Sequence, residues 1–139
     1  MRLRELDLYS LERRRERYIL LYMFKILNGV VPNMTGVNKI ITHRHIRRGL
    51  LCNVLPINNR CLSSLRTIKE SSFIIRAPKL FNELPRNLRE FAGSVESFKH
   101  ALDKWLHTIR DQPSLPHYYQ QAAGNSILEQ LAQVRAERS

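Results

Sequence analysis

Between Ser71 and Ile109 the chain marks its own breaks, and those breaks limit what it can fold into. The stretch reads SSFIIRAPKLFNELPRNLREFAGSVESFKHALDKWLHTI. Phe73, Ile74 and Ile75 form a short apolar run of one aromatic and two β-branched residues, which predicts a buried strand over Ser72–Arg76. Pro78 fits the first turn of a helix, where a missing N–H costs nothing. Leu80, Phe81 and Leu84 give that helix an apolar side. Pro85 closes it, since a proline cannot continue a helix and disfavours helical backbone before it. Gly93 breaks the chain again. Ser94 then offers an N-cap, with Glu96 in the first turn, where a carboxylate meets the positive end of the helix dipole. Phe98, Leu102, Trp105, Leu106 and Ile109 recur at helical spacing and form one broad apolar stripe. The unit supplies packing residues and no catalytic constellation.

Upstream, Leu3, Leu6 and Leu8 alternate with charge in a helical lead-in. Ser10 to Asn28 is the first strong helix, capped by Ser10, ended by Gly29 and followed by Pro32. Its first half, SLERRRER, is basic. Its second half, YILLYMFKIL, is apolar nearly all round and is expected to be buried on more than one side. Arg13, Arg14, Arg15 and Arg17 cover several faces, and Glu12 and Glu16 can pair with some of them. Two uses fit this pattern, a solvated charged end or a phosphate-contacting helix. Pro32, Asn33, Gly36 and Asn38 mark a loop. Lys39 to Gly49, KIITHRHIRRG, is a second basic cluster. Leu50 to Leu55 reads as a short strand, and Arg60 to Lys69 is open between strand and other structure. With Ser72–Arg76 these strands would make a small antiparallel sheet. Beyond Ile109, Pro113 and Pro116 introduce an extended segment in which Tyr118 and Tyr119 can pack back onto the body. Asn125 or Ser126 begins a last short helix carrying Ile127, Leu128, Leu131 and Val134, with a frayed polar end.

At 139 residues the chain is at most one ordinary domain. Residues 1–110 are expected to form it, and 111–139 an extended tail with the terminal helix. The formal charge is +11, and it is unevenly placed. Residues 1–49 hold 11 basic and 4 acidic side chains, residues 50–93 hold 7 and 3, and residues 94–139 hold 5 and 5. A basic first two thirds suits a polyanionic partner, RNA or DNA above all. The charged first residues (Arg2, Arg4, Glu5, Asp7) do not resemble a secretory signal, so an intracellular location, nuclear or cytoplasmic, is expected, with Cys52 and Cys61 reduced. The longest apolar run, Tyr18 to Phe24, is too short to cross a bilayer, so no membrane partner is expected.

Other chemistries find no support in the residues. His43, His45, Cys52 and Cys61 lack the close pairing that zinc sites use, so no metal or cofactor is expected. The serines sit in no Gly-rich elbow, and His100 and Asp103 are three apart on one helix. No phosphate loop occurs, and the acidic residues are too scattered for a two-metal carboxylate site. Tyr18, Tyr22, Phe24, Phe73, Phe81, Phe98 and Trp105 are expected in the core rather than stacked on bases.

Four phrases in order carry a resemblance: LERRRERYILLYMFKILNGVVPN, SSFIIRAPKLFNELP, SVESFKHALDKWL and DQPSLPHYYQQAAGNSILEQL. Together they resemble the C-terminal, post-thumb segment of reverse transcriptases from non-LTR (LINE-type, jockey-like) retrotransposons. Phe24 to Gly29 with Pro32 match the first family phrase. Ser72, Phe73, Arg76, Leu80, Asn82, Leu84 and Pro85 match the second, with Phe81 where the family usually has Trp. Phe98, Lys99, Leu102, Asp103 and Leu106 match the third. In the family the polymerase palm with its metal-binding carboxylates lies upstream of this segment. The resemblance therefore implies a fragment that is not an enzyme in isolation and that helps hold template RNA or target DNA.

The expected fold is mainly α with a few short strands, a small α+β unit. The order is a basic helix, short central strands, a short helix, a long amphipathic helix and the tail. The expected function is binding of RNA or DNA backbone through Arg13, Arg14, Arg15, Arg17, Arg44, Arg47 and Arg48. One alternative is a docking module whose Tyr18–Leu27 helix packs on the polymerase domain of the same element or on a second copy. Another is a decayed remnant with no maintained function. Arg76 lies between strand and helix start, either as a phosphate contact or, the expected role, as a buried, paired arginine.

Overall fold

The computed structural model describes residues 8–33, 39–40, 51–52, 54, 60, 62–111 and 126–139. Among these the chain is mainly helical, with helices α1 (Leu11–Leu27), α2 (Ser63–Ser71), α3 (Phe73–Glu83), α4 (Arg86–Arg89), α5 (Val95–Leu106) and α6 (Ile127–Arg138). Two strands of two residues each, β1 (Lys39–Ile40) and β2 (Leu51–Cys52), pair antiparallel with Lys39 opposite Cys52 and Ile40 opposite Leu51.

Helix α1 begins and ends where its sequence says it should. The Ser10 hydroxyl accepts the Arg13 N–H at 3.2 Å, satisfying one of the orphan donors of the first turn. At the other end Gly29 takes a left-handed φ of 72°. The Val30 N–H reaches the Lys25 carbonyl at 2.9 Å and the Gly29 N–H reaches that of Ile26 at 3.2 Å, the two bonds of a Schellman ending. Helix α5 starts in the same way, with the Ser94 hydroxyl accepting the Ser97 N–H at 3.2 Å.

The core lies where α1, α3 and α5 meet. Leu20, Met23 and Phe24 of α1 pack with Ala77, Leu80 and Phe81 of α3 and with Phe98, Leu102 and Leu106 of α5. Phe24 and Phe98 stack with ring centroids 4.1 Å apart, and Phe91 meets both of them edge-on. Asn82 of α3 ties β2 to this body. Its side-chain oxygen accepts the Cys52 N–H at 2.7 Å, and its amide nitrogen donates to the Cys52 carbonyl at 3.0 Å. One side chain thus takes the place of a neighbouring strand.

Several sequence expectations are overturned. Ser72–Arg76 is not a strand, because α3 starts at Phe73 and Pro78 sits inside it. Packing explains the switch: helical spacing buries Ile75, Ala77, Leu80, Phe81 and Leu84 together, which a strand at 72–76 could not do. Pro78 leaves the Ile74 carbonyl without its helical donor, and Ile74 lies at the surface, where water can serve. The segment over Arg60–Lys69 contributes helix α2, and β2 pairs with Lys39–Ile40 instead of with residues 72–76. The terminal helix is part of the packed body beyond the boundary expected at residue 110: Ile127 is fully buried in the core, with Leu128 and Leu131 against it. Its end is helical to Arg138. Tyr118, Tyr119 and the lead-in leucines Leu3 and Leu6 lie outside the described residues.

Candidate nucleic-acid interface

The basic half of α1 divides by face. Arg13 points inward and is fully buried. Its guanidinium donates to the carbonyls of Arg110 at 2.8 Å and Ile109 at 3.4 Å, just past the end of α5. It therefore satisfies two backbone acceptors of the segment that follows α5, and the last turn of α5 is closed by its own backbone, with the Ile109 N–H on the Leu106 carbonyl at 3.1 Å. Burial pushes its pKa below the ordinary arginine value, and the carboxylates of Asp111 and Glu16 oppose that shift. Asp111 Oδ2 in turn accepts the Ser10 N–H at 2.7 Å, so the end of α5 and the start of α1 are bonded in both directions.

Arg17 makes a two-pronged ion pair with Asp103 of α5, at 2.7 and 3.0 Å. The bond to Asp103 raises the Arg17 pKa. For Asp103, desolvation acts upward, but the hydrogen bond and charge of Arg17, with the Tyr9 hydroxyl, hold its pKa below the usual value. Arg14 lies half-buried and donates through Nε to the Tyr9 carbonyl at 2.9 Å. Arg15 alone of the four is exposed, with no partner among the described residues.

The expected phosphate contacts are thus corrected in part. Arg13 is built into the interior and cannot reach a phosphate without unfolding. Arg17 is held by Asp103, and Arg14 is anchored at one nitrogen. Arg15 faces solvent. Arg44, Arg47 and Arg48 lie outside the described residues, as do His43, His45 and Cys61. Cys52 is buried. Among the described residues no three His, Cys, Asp or Glu side chains gather as a metal site. No helix among them is long and apolar enough to cross a membrane.

Glu16 is the counterpart of Arg13 on the neighbouring side of α1. Its carboxylate is fully buried and accepts from Arg76 Nη2 at 2.9 Å, the Ser126 hydroxyl at 2.7 Å and the Ile127 N–H at 2.7 Å. A side chain of the first helix therefore caps the last one, with its negative charge at the positive helix end. Arg76 is paired, as expected, and its partner is Glu16, but it lies within α3 and is half-buried instead of buried.

The sequence also misplaced two aromatic residues. Tyr18 is 68% and Tyr22 47% exposed, although both were expected in the core. The second half of α1 is covered on the side of Leu20, Met23 and Phe24 and open on the side of these tyrosines. At 100° per residue, Leu11, Arg14, Arg15, Tyr18, Tyr22 and Lys25 fall in one arc of the helix. That arc holds three cations, two aromatic rings and no acid. The signal was available: Arg15, Tyr18 and Tyr22 are spaced i, i+3, i+7 on the face opposite Leu20 and Phe24.

No protein-family model, no curated protein and no solved structure matches the chain.

Proposed function

We propose that the chain binds RNA or DNA through its phosphate backbone, without catalysis, with the solvent face of α1 as the described part of the contact surface. The observation that supports this most is the arc of exposed Arg15, Tyr18 and Tyr22 with half-buried Lys25 on a chain of net charge +11. Cations on a rigid helix draw phosphates by counterion release, which needs no base contact. The resemblance to the tail of a LINE-type reverse transcriptase points to the same polyanionic partners. It also makes the polymerase domain of the same element a proposed neighbour.

Binding of a labelled oligonucleotide, followed by anisotropy across a salt series, tests this proposal. Affinity is expected to fall steeply with salt, and Arg15→Glu is expected to weaken binding and flatten the salt slope. Affinity indifferent to salt and to Arg15→Glu would sink the proposal.

A second function, docking on another protein, draws support from α2 instead of from the Tyr18–Leu27 helix. The apolar side of α1 is already covered by α3 and α5. Helix α2 buries none of its residues, and Leu65 and Ile68 with the preceding Leu62 stand exposed at a spacing of three.

A further inference from the structure

The outer face of α1 is more selective than a patch of positive charge. Tyr18 makes no hydrogen bond or ring contact among the described residues and stands well exposed. Tyr22 is held edge-on against Phe73, with centroids 5.5 Å apart and planes at 76°, and yet keeps nearly half of its surface open. A ring braced in this way loses little freedom when something stacks on it. Arg15 lies on the same arc one turn before Tyr18, and Lys25 one turn after Tyr22.

We infer that this face binds single-stranded nucleic acid, with bases stacked on Tyr18 and Tyr22 and phosphates met by Arg15 and Lys25. The inference deepens the backbone-binding proposal and rests on it. Two geometric facts argue for a single strand. Successive bases along one duplex strand lie about 3.4 Å apart. The two tyrosines, four residues apart, are separated by about 6 Å along the helix axis. Neighbouring bases can meet both rings only if they are spread, which an unpaired strand allows and a stacked duplex does not. Duplex bases also turn their faces inward, so an exposed tyrosine on a helix meets only their sugars and phosphates. The charge of the face argues for nucleic acid over a protein partner, since the arc offers cations on both sides of the rings and no acid to satisfy a basic partner.

The full chain is titrated against a labelled oligouridylate, an oligothymidylate and a mixed-sequence duplex of equal phosphate count. Both single strands are expected to bind more tightly than the duplex, and the two single strands together show whether the ribose hydroxyl matters. Tyr18→Ala and Tyr22→Ala are each expected to weaken single-strand binding about five- to 150-fold and to leave duplex binding unchanged. Tyr18→Phe and Tyr22→Phe are expected to keep the single-strand preference, because a phenyl ring still stacks. Circular dichroism of each variant confirms the fold, and Tyr18, being exposed, tolerates the change.

If the alanine variants bind single strands normally while Arg15→Glu weakens every probe, stacking is overturned and the backbone proposal stands. If no probe binds the unaltered chain, both fall. If the alanine variants abolish self-association or capture of an acidic protein and leave oligonucleotide affinity untouched, the face is a protein contact and the inference is overturned.

Discussion

Two neighbouring side chains of α1, Arg13 and Glu16, join the start of the chain to its end, and neither role can be read from the segment LERRRER alone. Both are charged and both are fully buried. A buried charge is tolerated only when every donor or acceptor is met, and here the partners come from about a hundred residues away in sequence. Pattern reading assigns charges on a helix to solvent or to a ligand because it sees only the local face. The opposite ends of α5 and α6, which approach α1 from two sides, are invisible to it. Glu16 gives the sharper prediction. Glu16→Ala removes a counterion from Arg76, a cap from α6 and an acceptor from Ser126. It should lower unfolding free energy in urea by about 2–4 kcal/mol, discounted for the partial exposure of Arg76. Glu16→Gln keeps one acceptor oxygen and should fall between that variant and the unaltered chain. If Glu16→Ala unfolds at the same urea concentration as the parent, α6 is not held by this carboxylate.

At the scale of elements, what the sequence made legible was the punctuation. Ser10, Ser94 and Ser126 each stand just before a helix, and Gly29 ends one with a left-handed residue. These signals are local, and local chemistry enforces them. A Cβ placed on Gly29 would meet nothing within 4 Å, so its substitution isolates the backbone cost. Gly29→Ala should therefore destabilise by about 1–2 kcal/mol, read as a lower Tm in calorimetry with the oligonucleotide-binding face intact. A Tm unchanged by this substitution would mean that α1 ends differently in solution. Where the sequence misled, the cause was tertiary. Phe73, Ile74 and Ile75 look like a strand by residue type, and the stripe from Ile75 through Leu84 makes them a helix because α1 and α5 offer a surface of helical period. Tyr18 and Tyr22 look like core by composition, and they are surface because α3 and α5 cover only one side of α1. The same one-sidedness produces the candidate interface.

Taken whole, the chain is a small helical body built around α1, and its stability should be unequal across its parts. The buried residues cluster in α1, α3 and α5, with α6 fixed through Ile127 and Glu16. Helix α2 contributes no buried side chain, and the side-chain hydrogen bonds described along it, Arg66 to Glu70, Thr67 to the Ser63 carbonyl and Ser71 to the Ile68 carbonyl, are all local. A helix of nine residues is marginal without tertiary support. Its amides should therefore exchange by local opening, while those of Leu20–Ile26 exchange only on global unfolding. Hydrogen exchange followed by mass spectrometry should show deuterium entering 63–71 orders of magnitude faster than the second half of α1. Adding a single-stranded oligonucleotide should leave α2 fast and raise overall stability through binding to the folded form. If α2 in the free chain is instead as slow as α1, something covers Leu62, Leu65 and Ile68 in solution. A second copy of the chain would then be the first candidate, recognised by exchange that quickens on dilution. Exchange of α2 that slows only when oligonucleotide is added would move the contact surface onto α2 and away from Tyr18 and Tyr22.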